Sequence, residues 1–309
     1  MMNEKIGLVE LDYFGEQPGS IYSEGNEIEE RVLQVFKDGE DPLEVLKRDN
    51  RWPILYQLSP ARGNIILPMR LDKSMSVLEL GSGMGAVTTA LAPRCGTVDC
   101  VDMSKVRCLA NAYRNRSMNN IRIHIGDIMQ YSTQKRYDAI LLIGVLEYAS
   151  EYSNSEKPFY DMLKLCYRFL KPNGLLYIAI ENRLGAKYLA GCREDHIGRW
   201  FVGVEGYQCT EKPRTFSRSE LLDIVRETGF GSPFFYYPLP DYKLPIVIYS
   251  DDLLPGKMLN IPRDTNYDAE RLYCFDEVMA LKSLQSSEEF KMLANSFLLE
   301  VKREADREA

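Results

Sequence analysis

The chain has 309 residues, 45% of them hydrophobic and 27% charged, with a formal net charge of −7. This balance suits a globular enzyme with one principal core plus additions, and it offers no electrostatic footprint for nucleic acid. No stretch approaches the ~20 continuous apolar residues of a membrane helix, and the opening MMNEKIGLVELDYFG lacks the basic and apolar regions of a secretory signal, so a cytoplasmic protein is expected.

Seven cysteines are scattered without a C-x-x-C pair, which fits a reducing compartment. In chain order, residues 1–69 are expected to form a helical or irregular cap. Residues 70–255 read as an α/β core, because short apolar runs alternate there with amphipathic stretches. Strands are predicted at 77–80, 98–101, 121–125, 139–143 and 175–180, with helices at 86–92, 105–116 and 159–170. The last of these helices is closed by Lys171, Pro172, Asn173 and Gly174. Residues 182–213 lack periodicity and follow a strand's carboxyl end, where α/β folds place ligands, so they are expected to be an acceptor-site insertion. Ser217 with Glu220 forms a capping box for a helix that stops at Gly229. Runs at 234–237 and 246–249 supply the last two strands, an antiparallel edge separated by a proline-rich turn. Residues 256–309 are expected to be a helical extension with two charged amphipathic helices. The fold class is thus α/β, a doubly wound, mostly parallel seven-stranded sheet with helical additions at both termini.

The strongest motif is VLELGSGMG at 77–85, where a strand carrying Glu79 turns through Gly81, Gly83 and Gly85 into a helix. Small residues let a ligand lie against the backbone there. A dinucleotide site is disfavoured, because the third glycine arrives one residue early for G-x-G-x-x-G. The second strand ends in Asp102, placed to accept ribose hydroxyls, and the third in Gly126, Asp127 and Ile128. Either acid would serve equally as a cap for the helix that follows it.

In these ordered motifs the chain resembles the class I, Rossmann-like methyltransferases dependent on S-adenosylmethionine (SAM). The resemblance implies SAM as cofactor and S-adenosylhomocysteine (SAH) as product. It implies that Gly81, Gly83 and Gly85 line the methionine end, Asp102 with Met103 the ribose, Asp127 and Ile128 the adenine, and that Gly144 opens a loop at the cofactor's edge. Many members carry Glu-His after the fourth strand; here the pair is Glu147-Tyr148. The segments YQLSPARGNI (56–65), IGVLEYA (143–149), IENRLGAKYLAG (180–191), EDHIGRW (194–200), RTFSRSEL (214–221), YYPLPDYKLP (236–245) and ANSFLLEV (294–301) resemble a bacterial subgroup. That subgroup accompanies glycosyltransferases in surface-polysaccharide biosynthesis. This implies a small-molecule or glycan acceptor, with a glycosyltransferase or a second copy as possible partner.

A hydroxyl acceptor must lose its proton as the methyl is transferred, which calls for a base within hydrogen-bond reach. Of two histidines, His124 lies in a predicted strand and reads as a packed core residue, whereas His196 stands in the insertion beside Asp195 and is the leading candidate. Glu147, Glu181 and Asp241, each at or near the end of a predicted strand, are in reserve. Tyr56 and Arg62 precede the first strand and could fold over the cofactor, the Arg facing its carboxylate and the Tyr shielding its methyl. Tyr148, Asn182, Arg183, Tyr237, Asp241 and Tyr242 are candidate acceptor contacts; packing and edge-strand roles are open for the aromatic ones. No cluster has metal-ligand spacing in the sequence, so no metal is expected. The competing readings are N-methylation of an amine or peptide and a silent scaffold for a glycosyltransferase.

Overall fold

The computed structural model describes residues 4–15, 25–153, 155–208, 212–256, 263 and 269–304, and among these one sheet of ten strands forms the centre. The strands are β1 (Glu4–Ile6), β2 (Val9–Tyr13), β3 (Ser76–Leu80), β4 (Thr97–Asp102), β5 (Ile121–Ile125), β6 (Tyr137–Ile143), β7 (Leu170–Glu181), β8 (Phe234–Leu239), β9 (Val247–Ser250) and β10 (Ser296–Lys302). Their order is β1-β2-β5-β4-β3-β6-β7-β10-β8-β9. The run from β2 to β7 is parallel, and β1, β10, β8 and β9 pair antiparallel.

Alternation along each strand sorts side chains to two faces. On one face Leu78, Leu80, Ile140, Leu142, Ile178 and Ile180 pack under the helices Pro158–Phe169 and Arg218–Glu227. On the other, Val77, Val98, Cys100, Leu141 and Ala179 pack under Ala86–Leu91 and Lys105–Arg114. Both faces are covered, as a parallel sheet requires. The capping box forms as expected: the Ser217 hydroxyl accepts from the Glu220 N–H while the Glu220 carboxylate accepts from the Ser217 N–H.

Two expectations about the ends change. The segment up to residue 69 is not only helical, since β1 and β2 form a hairpin whose inner strand pairs in parallel with β5. Val9 and Leu11 are buried there, but five residues at a sheet edge leave little periodic signal. Residues after 255 do hold the helices Glu277–Ser283 and Glu288–Leu293, yet they also supply β10, which inserts between β7 and β8, third from the β9 edge of the sheet. SFLLEVK is buried on both faces from Ser296 to Val301 and shows no alternation of apolar and polar residues, a pattern that periodicity cannot distinguish from a helix turn. The seven expected strands are therefore ten; the inner seven are β5-β4-β3-β6-β7-β10-β8, and the hairpin partner β9 lies outside them.

From β3 the chain proceeds outward to β4 and β5 and then returns to the other side of β3 with β6 and β7. That reversal leaves a crevice at the carboxyl ends of β3 and β6, where open α/β sheets bind ligands. The helices Asn26–Asp38, Pro42–Arg48 and Trp52–Leu58 close over it through a third apolar cluster that includes Met84 and Ala110. A buried ion pair, Arg107 to Glu29 at 2.8 Å, ties this cap to the core. No helix among the described residues is long and apolar enough to cross a membrane.

Candidate active site

The first part of the site is the turn after β3. Gly81 has φ +72°, and a Cβ there would stand 2.4 Å from Val145 Cγ2, so only glycine lets the turn close against the loop after β6. Gly83 also has positive φ, but a Cβ on it would meet nothing within 4 Å, because that side of the turn faces open space. Gly85 caps the following helix. Asp102 ends β4 and accepts from the Gly83 N–H at 2.9 Å and the Ser104 N–H at 3.0 Å, which braces the turn.

Gly81, Gly83 and Asp102 line a cleft of about 710 Å³, open to solvent, together with Tyr56, Arg62, Glu79, Ser82, Gly144 and Tyr148; Gly85, expected at the cofactor, is not in the lining, because its open side faces the Asn111 side chain. Arg62 is buried, lies 4.4 Å over the Tyr56 ring and is anchored on the Lys243 carbonyl at 3.2 Å. Glu79 accepts from the Thr88 hydroxyl at 2.6 Å; burial pushes its carboxyl up to about 7, against the pull of Thr88, Cys100 and Arg62. The Ser82 hydroxyl is buried without a protein partner among the described residues. An acid deep in the cleft, an acid at its rim, a buried guanidinium and an orphaned hydroxyl fit a ligand carrying an ammonium, a diol and a carboxylate. SAM carries all three.

A second cavity, of about 960 Å³ and likewise open to solvent, adjoins the first and shares Tyr56, Gly144 and Tyr148 with it. Its other walls are Trp52, Pro53, Glu147, Asp195, His196, Tyr242 and Lys243. The insertion thus delivers His196 to the place where the cavities meet. Glu194, not the neighbouring Asp195, orients the ring: its Oε1 lies 3.0 Å from Nδ1, while its Oε2 accepts from the N–H groups of His196 and Ile197. Tyr207 also donates to Glu194, and Tyr148 packs edge-on to the imidazole. Nε2 is left facing Glu147 Oε1 at 3.8 Å and Glu181 Oε2 at 4.0 Å.

Asp195 instead accepts from Lys187 at 3.0 Å and Lys243 at 2.5 Å; Lys187 also reaches Asp241, and Lys243 reaches Glu181. Burial works against the charged forms throughout, and pairing overrides it for most of them. The two lysines hold the Asp195 carboxyl well below its ordinary range. The acids around Lys243, Asp195 first, lift its ammonium well above the usual value. The carboxylates around His196 raise the imidazole likewise, with Glu181 foremost. Glu147 has no lysine, and burial raises its carboxyl.

Several expected contacts lie elsewhere. Met103 is buried beside the β4 end but is not part of the cleft lining, Asp127 caps a turn by accepting from the Met129 N–H, and Ile128 packs in the core. Asn182 bonds to the Met292 and Ala294 carbonyls, so it fastens β7 to the segment before β10. Arg183 pairs with Glu220 and the Gly203 carbonyl. Tyr237 is buried against Phe290 and Phe297 and donates to Asp251. None of these three reaches the cavity; a position after a strand end does not say which way the side chain turns. Asp241 lies one layer behind the wall, on Lys187, whereas Tyr242 lines the cavity and its hydroxyl donates to Glu181. Sequence reasoning missed Trp52, Ser82, Glu194, Lys187 and Lys243. Glu194 and Lys243 stand inside the motifs EDHIGRW and YYPLPDYKLP, and only folding shows which members of those motifs face inward. His124 is a packed residue, 2.6 Å from Asp12 of β2.

Residues 77–174 match the family described as Methyltransferase domain. The ubiquinone biosynthesis O-methyltransferase of Pseudomonas putida (strain GB-1) is 25% identical over 146 residues, 46% of this chain and 60% of that protein. Its counterpart in Rickettsia canadensis (strain McKiel) is 21% identical over 188 residues, 59% of this chain and 75% of that protein. The chain spans about 60% of the length of the first of these relatives. Among solved structures, Haemonchus contortus phosphoethanolamine N-methyltransferase 1 aligns with a TM-score of 0.49 at 15% identity, over 94% of this chain and 53% of that one. The family match runs from β3 into β7 and includes the glycine turn, Asp102 and Gly144 of the cleft, and together with the mostly parallel sheet it supports a class I, SAM-dependent methyltransferase.

Proposed function

We propose that the protein transfers a methyl group from SAM to a hydroxyl of a polar acceptor, of which a sugar or glycan precursor fits best. The observation that carries this reading is the pair of cavities with common walls: a cofactor cleft opens at Tyr56, Gly144 and Tyr148 onto a second cavity that ends on His196.

SAM supplies an electrophilic methyl on a sulfonium leaving group, so the chain's work is alignment and proton removal. Asp102 takes the ribose, Arg62 and Ser82 the carboxylate, and Glu79 the ammonium side. Tyr56 and Tyr148 line the passage where the methyl crosses and keep water from it. Trp52 offers a flat face for a sugar ring, with carboxylates opposite to accept from its hydroxyls. The acceptor's proton goes to the cluster in which His196 Nε2 faces Glu147 and Glu181. Glu194 on Nδ1 and the two lysines behind Asp195 keep that cluster in place. The O-methyltransferase names of the curated relatives support a hydroxyl over an amine. The resemblance to polysaccharide methyltransferases supports a cytoplasmic glycan-building setting, with a glycosyltransferase or a second copy as partner.

Calorimetric titration of SAH, followed by turnover with nucleotide sugars and glycans, tests the reading. His196→Ala should lower kcat by about 10²–10⁴-fold with SAH affinity within twofold of wild type. An amine acceptor arriving deprotonated would leave kcat almost unchanged in that variant. A folded wild type that binds no SAH would overturn the enzyme reading in favour of a scaffold.

A further inference from the structure

We propose that Glu147, Glu181 and His196 form a binding site for a first-row divalent cation of the Mn²⁺ or Zn²⁺ class at the floor of the acceptor cavity. The cluster is a side-chain constellation with unfilled coordination, in three respects.

The first is spacing. One ligand atom from each of the three residues lies within 4.8 Å of the others, and Nε2 stands 3.8 Å from Glu147 Oε1 and 4.0 Å from Glu181 Oε2. These separations are too long for hydrogen bonds. They suit ligands that share a central ion, since cation-to-ligand distances of about 2.0–2.2 Å place neighbouring ligands about 3–4 Å apart.

The second is unmet demand. Glu147 and Glu181 are 1% and 0% exposed, and the Oε2 atom of each is buried without a hydrogen-bond partner among the described residues. Such atoms are costly unless something completes them. The other oxygen of Glu181 is taken by Lys243 and Tyr242, so Oε2 is the one left for the cluster. Around the site the ion pairs of Glu147, Glu181, Glu194, Asp195 and Asp241 run to Lys187, Lys243 and His196.

The third is orientation of the histidine. Glu194 takes the Nδ1 side and is itself held by two backbone N–H groups and Tyr207. A carboxylate on one ring nitrogen with the other aimed at a cation is the usual arrangement around metal-bound imidazole; the cation displaces the Nε2 proton that the carboxylates hold in its absence, and Glu194 keeps the remaining proton on Nδ1. Two carboxylates with one imidazole select a cation that accepts both nitrogen and oxygen, which favours Mn²⁺ or Zn²⁺ over Mg²⁺ or Ca²⁺.

Glu147 and His196 also line the cavity, so the remaining coordination positions face the acceptor. The role of the cation, though not its binding, rests on the methyl-transfer reading: it would draw an acceptor oxygen into register with the methyl and make its hydroxyl more acidic, the proton then passing to a carboxylate oxygen of Glu147 instead of to Nε2.

The test is titration of Mn²⁺ into the full-length protein after EDTA treatment and dialysis, followed by calorimetry and by the spin resonance of free Mn²⁺, with SAH titrated into the same samples. The expected result is one Mn²⁺ per chain, weakened at least tenfold by Glu147→Gln and by Glu181→Gln, with SAH affinity preserved. Pulsed spin resonance of wild type loaded with Mn²⁺ should show modulation from a directly bound nitrogen, a readout that needs no variant. Absence of Mn²⁺ uptake, uptake that both variants retain, or bound Mn²⁺ without nitrogen coupling would each overturn the site. Loss of SAH binding in wild type with Mn²⁺ uptake intact would instead sink the methyl-transfer reading and leave the cation site standing.

Discussion

Glu79 is a carboxyl buried beneath the cofactor turn, and its titration should be visible in the stability of the whole protein. Burial favours its protonated form and pushes its folded value up to about 7, from 4.5 in the unfolded chain. Below pH 4.5 both states carry the proton and the residue contributes no pH dependence. Between 4.5 and 7 the unfolded chain releases the proton while the folded protein keeps it, so folding stability falls as pH rises. At about 1.4 kcal/mol per pH unit, the accumulated loss is about 3 kcal/mol by pH 7.5. Glu79→Gln keeps the shape and an oxygen to accept from Thr88 while removing the titration. Urea unfolding from pH 4.5 to 8 should therefore show the variant gaining on wild type across that window, by up to about 3 kcal/mol at the top. SAH, through its ammonium, should pull the Glu79 value back down and narrow the gap. Parallel stability profiles for the two proteins would refute the assignment of a buried, titrating acid to this position.

Asp102→Ala should weaken SAH binding by about 10–150-fold, the worth of charged hydrogen bonds to a diol, as read by calorimetry. Two glycine substitutions in one turn should separate folding from binding. Gly81→Ala drives a methyl into Val145 and should lower Tm by several degrees, whereas Gly83→Ala carries only the left-handed backbone cost of about 1–2 kcal/mol and should instead reduce SAH affinity, because its methyl enters the cleft. Tyr237→Phe removes one hydrogen bond to Asp251 and should cost about 1 kcal/mol in urea unfolding while leaving SAH affinity and turnover unchanged; a selective loss of turnover would return Tyr237 to the acceptor site.

The legible parts of the site are those written in contiguous residues. The turn at 81–85 reads directly, because strand, glycines and helix follow one another and the backbone conformation they need is local. The capping box at Ser217 and Glu220 reads for the same reason. Asn182 and Arg183 mislead because their partners, the Met292 and Ala294 carbonyls and Glu220, lie far along the chain. Asp195 beside His196 looked like the orienting acid, but a one-residue difference in an irregular loop turns Glu194 to the ring and Asp195 to the lysines.

The sequence by itself determined the α/β class, the order of the cofactor turn and acids, and the candidacy of His196, since each depends on local periodicity, turn chemistry or the scarcity of a residue type. Only the tertiary structure decided that the first and last strands join the sheet, that Tyr237 is core, and that Glu147, Glu181 and His196 meet. Those outcomes depend on which distant segments share a wall, and burial makes their unpaired oxygens and paired charges matter.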